Sequence, residues 1–294
     1  MRRFPFPLLL ASVLGLGLAP ATEASQGASA ASGSVESTVA TGQRGAARVK
    51  VRGHFNLATF NVLGHSHTNG RGDRFASSAR RMRITVKAFQ RRNVHVVALQ
   101  EFEEQQWRTF RRLTDGRYGV WAHERHIANA VAWHTKKFAF VRARTIGVPY
   151  FHGNVRQMPV VFLRHRATGQ TMAFTSFHNP VTSKRRPGND KWRARAIKRE
   201  ILLAQHLRKR GIPAFLSGDF NERSERWQCR VARRTNMVTA GNGSGRGGSC
   251  KTPDRMRIDW IFGSNGVIFS RYIAVESRRV QLASDHPLII VNVR

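Results

Sequence analysis

"FLSGDFNERS", residues 215–224, sets an acid at an unexpected point of a very basic chain. Ile212, Pro213, Ala214, Phe215 and Leu216 read as a short buried strand. Asp219 stands at its exit, with Asn221 two residues later. The chain carries 50 Lys and Arg against 17 Asp and Glu. Carboxylates that only solvate a surface sit among polar residues, so an acid at the end of an apolar run implies a task at that point.

The same arrangement recurs on both sides of this stretch. "LATFNVLG" holds Asn61 inside an apolar strand, and "VVALQEFEE" ends one with Gln100 and Glu101. "AFTSFHNP" ends in His178 and Asn179, "RIDWIF" embeds Asp259, and "ASDHPLIIV" sets Asp285 and His286 before the last strand. Strand-like runs span 55–62, 94–99, 128–134, 138–146, 159–164, 171–178, 213–216, 257–262 and 288–293. Helical periodicity covers 77–91, 103–113 and 190–209, the last with Ile197, Ile201, Ala204 and Leu207 on one stripe of a basic cylinder. This mixture excludes a helical bundle and gives an α/β layered domain over residues 54–294. Any one of these polar residues has a bland reading as a turn, cap or edge residue. Together they place acids, amides and histidines at strand ends, where layered α/β folds form ligand sites.

The residue types define a chemistry. Carboxylate and amide oxygens without cysteine suit a hard divalent cation such as Mg²⁺, with Mn²⁺ or Ca²⁺ as alternatives. Histidines oriented by carboxylates move protons near neutral pH. With amide donors added, the set suits attack of water on phosphorus.

In order and spacing these segments resemble the endonuclease/exonuclease/phosphatase superfamily, from Phe55 to the C-terminus. "SGDFN" and "SDHP" carry the likeness most specifically, supported by "LQE" and "RIDWI". The resemblance implies a four-layer α+β sandwich, two stacked mixed β-sheets flanked by helices, with the site at one edge. It implies metal-binding positions at Asn61 and Glu101, with Asp285 an acid near the metal. Asp219 matches the residue that aligns or activates the attacking water, and Asn221 the amide that contacts phosphate. His286 matches the histidine at the scissile phosphate and Asp259 the carboxylate that orients it, while His178 would assist the leaving group or hold a phosphate oxygen. Deoxyribonuclease-like members back that second histidine with a glutamate. The corresponding stretch here, "HIANAVAWH", offers Asn129 and no acid, with Glu124 a few residues upstream, so proton transfer falls more firmly on His286.

Composition bears on location and substrate. Arg2 and Arg3 followed by an apolar run to Pro20 read as a secretory signal over residues 1–24, removed on export. Residues 25–53, rich in Ala, Ser and Gly, read as a flexible leader. Export makes Cys229 and Cys250 the expected disulfide, closing a loop of about twenty residues for roughly 3 kcal/mol. The net charge of +33 implies a polyanionic partner. A nucleic acid fits best, tracked by Arg185, Arg186, Lys191, Arg193 and Arg195 in the basic stretch after His178. The alternative is a sphingomyelinase-type phospholipid phosphodiesterase on an anionic membrane surface, for which Tyr150 and Phe151 are the only apolar loop tip. A non-catalytic basic polyanion binder leaves the acids unexplained. His65 and His67 form a surface or substrate-edge pair, the six tryptophans read mostly as core or helix packing with base stacking by Trp227 as an alternative, and a monomer is expected.

Overall fold

Side chains of β1 (Phe55–Asn61) alternate between two interiors: Phe55 and Leu57 enter one apolar core, Ala58 and Phe60 another. That period of two is the geometry of a strand buried on both faces. The computed structural model describes residues 50–68, 75–224, 226–241 and 257–294. β1 lies at the middle of a sheet with β2 (Val94–Gln100), β3 (Tyr118–Ala122), β4 (Ala130–His134), β12 (Phe269–Val275) and β13 (Leu288–Val293), in the order β12-β13-β1-β2-β4-β3.

The second sheet holds β5 (Phe138–Pro149), β6 (Val155–His165), β7 (Thr171–Thr175), β8 (Phe177–His178), β9 (Ala214–Asp219), β10 (Met237–Thr239) and β11 (Asp259–Ser264). Its order is β10-β11-β9-β7-β6-β5, with β8 continuing beside β9. Each sheet has one parallel pair at its centre, β1–β2 in the first and β9–β7 in the second, with antiparallel strands outside. The sheets therefore repeat one topology, in which β1 corresponds to β9, β2 to β7 and β13 to β11.

Three cores separate four layers. Phe55, Leu57, Val96, Phe174, Phe215 and Ile261 pack between the sheets. On the outer side of the first sheet lie α2 (Ser78–Arg91), α3 (Glu104–Thr114) and the short α6 (Arg278–Gln281), through Met82, Val86, Phe110 and Val280. Behind the second lie α4 (Asp190–Lys209) and α5 (Trp227–Thr235), through Ile201, Leu207, Trp227 and Val231. The expected four-layer sandwich is the observed fold.

Strand parity delivers the polar residues. Asn61 shares the inward parity of Phe55 and Leu57, Asp219 that of Phe215, and Asp259 that of Ile261. Towards one edge of the sandwich the core turns polar, through Thr59, Gln100, Ser176 and Ser217, all buried. Gln100 Nε2 donates to Ser176 Oγ at 2.9 Å and Ser176 Oγ donates to Leu99 O at 2.7 Å, joining the sheets just behind the acids.

Several sequence expectations shift. The 171–178 run is interrupted at Ser176, while Ala173–Ala214 and His178–Asp219 keep one register along β9. Asp219 is the last residue of β9 rather than a residue beyond it. Close approach of β8 explains Gly218, where a Cβ would lie 2.1 Å from Phe177 O. β3, β10, β12 and α5 had no clear sequence signal. Residues 50–53, read as the end of the leader, already belong to the fold: Val51 is buried in the inter-sheet core and Gln170 Nε2 donates to Lys50 O. Trp227, considered as a stacking platform, is buried against Phe220, Trp260 and Phe262. Residues 1–49, with the signal and most of the leader, and Cys250, the expected partner of buried Cys229, lie outside the described residues.

Candidate active site

Register brings the first three groups together. On β9, Asp219 has His178 of β8 as its direct neighbour on one side and Asp259 of β11 on the other. Two buried carboxylates side by side repel. His286, entering from the turn before β13, relieves this: its Nδ1 is 2.9 Å from Asp259 Oδ2 and its Nε2 3.7 Å from Asp219 Oδ2. Ser284 fixes that turn, its Oγ donating to Asn61 O at 2.6 Å and accepting from His286 N at 3.1 Å.

Asp219 Oδ2 is the hub. Asn61 Nδ2 lies 3.2 Å away and His178 Nε2 3.6 Å, in addition to His286. The other oxygen, Oδ1, accepts from Asn221 N at 2.9 Å. Asn221 adopts a left-handed φ of 50° and its Nδ2 donates to Asn179 O, which ties the loops after β8 and β9 together. Glu101 follows β2, also with a left-handed φ, 55°. For a non-glycine residue this is strain that the surroundings must hold, and such strain gathers at functional sites. Its Oε1 accepts from Asn61 Nδ2 at 3.0 Å and its Oε2 from Gly64 N at 2.9 Å.

Burial and then the Asp259 charge push the Asp219 carboxyl up, to about 6, against the pull of His178, His286 and Asn61. Burial alone would lower His286, but Asp259 by charge and hydrogen bond, with Asp219 and Asp285, raises it to about 10. Burial raises Glu101 too, yet His178, Asn61, Gly64 N–H and His67 together bring it below its ordinary value. The site thus holds one imidazolium bridging two acids, and one carboxylate that stays ionised.

Asp219, Asp259 and His286 present oxygen and nitrogen atoms within 4.8 Å of one another, the only such acid–histidine group among the described residues. Both His286 nitrogens already face carboxylates, Nδ1 towards Asp259 and Nε2 towards Asp219, so this trio reads as a proton-holding cluster. Glu101 and Asn61 fit a hard divalent cation better. Neither Glu101 nor Asp219 meets a Lys or Arg among the described residues, only amides and histidines, so their charge is open to a cation. Glu101 would hold it with the carbonyl oxygen of Asn61, which here accepts from Leu63 N. Asp285, expected beside the metal, is exposed and lines a cavity of about 620 Å³ with Arg278, Gln281 and the site's own Ser284 and His286.

Beside Glu101 and His178 opens a cavity of about 310 Å³, lined also by His67, Asn129, Tyr150, Phe151, Arg156 and Arg186. Tyr150 and Phe151, considered as a membrane-entering tip, do not project. Tyr150 packs on His178 with ring centroids 5.9 Å apart, and burial followed by the Glu101 and Asp219 charges keeps its phenol protonated. Arg156 lies over the Tyr150 ring and Arg186 over the Phe151 ring, at 5.3 and 4.3 Å. Asn129 is buried in this cavity with its Oδ1 unpartnered, and Glu124 is exposed, so no carboxylate backs His178 from that strand.

Of the basic residues expected to track a backbone, Arg186 lines the cavity, and Arg185, Lys191 and Arg195 are exposed or half-exposed on the outside, the last two beside the Trp192 ring. Arg193 is a correction. It is buried and bound to Asp190, to Glu222 at 3.3 Å and to Pro180 O at 3.1 Å, so it clamps the segment after His178 instead of facing substrate. The sequence underweighted His67, whose Nε2 is 3.4 Å from Glu101 Oε2, named Asn179 without a role, read Tyr150 as a loop tip, and missed Ser284 as part of the site. The H-x-H spacing was the one available signal for His67.

No curated protein sequence matches the chain. Among solved structures, similar folds include an endonuclease/exonuclease/phosphatase family protein from Bacteroides thetaiotaomicron, at 18% identity and TM-score 0.62, covering 82% of this chain and 98% of that one. The human Nocturnin catalytic domain with bound sulfate is 15% identical, TM-score 0.61, covering 83% and 96%. D. rerio TDP2 complexed with single-strand DNA product is 14% identical, TM-score 0.57, covering 83% and 100%. These show the fold. Residues 58–286, from the middle of β1 to the histidine that bridges Asp219 and Asp259, match the family's sequence pattern, and the chain belongs to the endonuclease/exonuclease/phosphatase family.

Proposed function

We propose that the chain is a secreted, divalent-metal-dependent phosphodiesterase acting on nucleic acid. The observation that carries the reaction is the bridge of His286 between Asp259 and Asp219, with Asn61, Glu101 and His178 around the same carboxylate. A cation at Glu101 and Asn61 would supply charge neutralisation at a bound phosphate. Asp219 orients the water and accepts its proton. His286, held protonated by Asp259, donates to a phosphoryl oxygen as charge develops there, and the remaining N–H of the Asn221 side-chain amide holds a second. His178, on the cavity side, meets the leaving oxygen.

Support for a nucleic-acid substrate comes from that cavity. Its rings and guanidinium groups, Tyr150 with Arg156 and Phe151 with Arg186, offer stacking and phosphate contacts together. TDP2, of similar fold, was captured with a single-strand DNA product. Secretion rests on the N-terminal sequence, and pairing of Cys229 with Cys250 would follow from it.

The test is digestion of supercoiled plasmid by the purified protein with Mg²⁺ and with EDTA, beside sphingomyelin under the same conditions. We expect nicking that EDTA abolishes and Mg²⁺ restores. Lipid turnover with plasmid intact would move the substrate to phospholipid. Asp219→Asn and His286→Ala should each lower the rate by about 10²–10⁴-fold with unchanged circular dichroism. Wild-type-like turnover in either variant would overturn the assignment.

A further inference from the structure

At the end of the first sheet remote from Glu101, a third cavity of about 180 Å³ is lined by Arg91, Arg92 and Arg271 with Asn56, Asn93 and Asn292, over Ile273 and Ile290. No acid lines it, and none of the three arginines makes an ion pair among the described residues. The three arginines are exposed and line one cavity without a carboxylate, which gives that cavity a positive potential suited to an anion.

We propose that this cavity is a second anion site, which holds a phosphate of the nucleic acid away from the one being cleaved. It rests on the nucleic-acid reading above. The asparagines build its frame: Asn56 Nδ2 donates to Arg92 O at 3.0 Å and Asn93 O at 3.1 Å, and Asn292 Nδ2 donates to Asn56 Oδ1 at 3.0 Å. The end of α2 is already closed without the arginine side chains, since Arg92 N donates to Ala88 O and Asn93 N to Gln90 O. Capping therefore does not account for them.

Arg271 gives an independent indication. It lies in the register break of β12 between Ser270 and Ile273, with a left-handed φ of 55°. Bulges re-aim side chains, and a strained non-glycine residue at one points to a use for that side chain. β1 connects the two sites, with Asn56 at this cavity and Asn61 at the other end. Five residues of strand separate them by about 17 Å, or about five steps along one strand of a duplex. A substrate of one or two nucleotides does not span that distance, whereas a longer one does.

The experiment measures binding of a phosphorothioate 12-base-pair duplex to the full protein in EDTA by fluorescence anisotropy, across salt concentrations. Arg91→Gln/Arg92→Gln/Arg271→Gln is compared with a control of equal charge change on α3 and the adjoining turn, Arg111→Gln/Arg112→Gln/Arg117→Gln. We expect the first to bind about tenfold more weakly, with a salt slope shallower by about 0.9 for each phosphate that it no longer neutralises, and the control to change little. Arg271→Gly serves as a folding safeguard, because glycine accepts the left-handed φ, and it should also weaken binding. Equal weakening in the two triple variants would mean net charge alone acts, and would overturn the site. Cleavage of bis(4-nitrophenyl) phosphate should be unaffected by the first triple variant. Since binding is read in EDTA without turnover, a failure to digest plasmid leaves this test standing by itself.

Discussion

Asp219 Oδ2 faces Asn61, His178 and His286, and this geometry sets the electrostatics of the site. Within the site, the charge of His286 depends on the fold. Its pKa is held at about 10, above the ordinary 6.5, so the folded protein keeps a proton that the unfolded chain releases. That stabilisation is fully present below about pH 6.5 and is lost as pH rises through about 10. In metal-free protein, the melting temperature of the wild type should therefore fall between pH 7 and 10 relative to that of His286→Asn, followed by differential scanning fluorimetry. Parallel curves for the two proteins would show that the bridge to Asp259 does not carry the charge. His178 has the ring of Tyr150 beside it, with centroids 5.9 Å apart, and its Nε2 faces Asp219 Oδ2 at 3.6 Å.

At the scale of elements, the junction of β8 with β9 positions the chemistry. Phe177 and Gly218 are direct partners, and the strand approach leaves no room for a Cβ at Gly218. Gly218→Ala should lower stability by about 1–3 kcal/mol, read by urea unfolding, and should lower turnover further by moving His178 relative to Asp219. A variant with wild-type stability would show that β8 yields easily. Arg193 acts on the same junction from α4, through Asp190, Glu222 and Pro180 O. Arg193→Ala leaves Glu222 without its cation and loosens the segment after His178. It should reduce stability and turnover without changing the salt dependence of nucleic-acid binding. A shallower salt slope in this variant would restore Arg193 as a phosphate contact.

For the whole molecule, the repeated topology of the two sheets explains why one edge collects the site. β1 ends in Asn61 as β9 ends in Asp219. Glu101 follows β2 as β8 with His178 follows β7, and Asp285 and His286 precede β13 as Asp259 begins β11. Equivalent strand ends from two stacked sheets meet across the inter-sheet core. The net charge of +33 over the whole chain supplies a long-range attraction for polyanions. Nucleic-acid affinity should fall steeply between 50 and 200 mM salt, by about 10³-fold if six or more phosphates are contacted. Cleavage rates measured over that range check this, and insensitivity to salt would argue for a small or neutral substrate.

The sequence by itself pointed to the fold family and to most of the residues that the structure brings together, because each is announced locally: an apolar run that closes on Asp219, on Glu101 or on His178 needs no distant information. Order along the chain carried the family resemblance, and that resemblance implied the four-layer sandwich. Tertiary structure alone decided which groups touch. The hydrogen bond between Asn61 and Asp219 spans 158 positions in sequence, and its existence depends on how two sheets stack. For the same reason Arg193 turned inward and Tyr150 came to rest on His178. A charge or ring on a helix or loop carries no local mark of the face it will present. That face is fixed by packing of the layers, and the layers are joined by residues far apart in the chain.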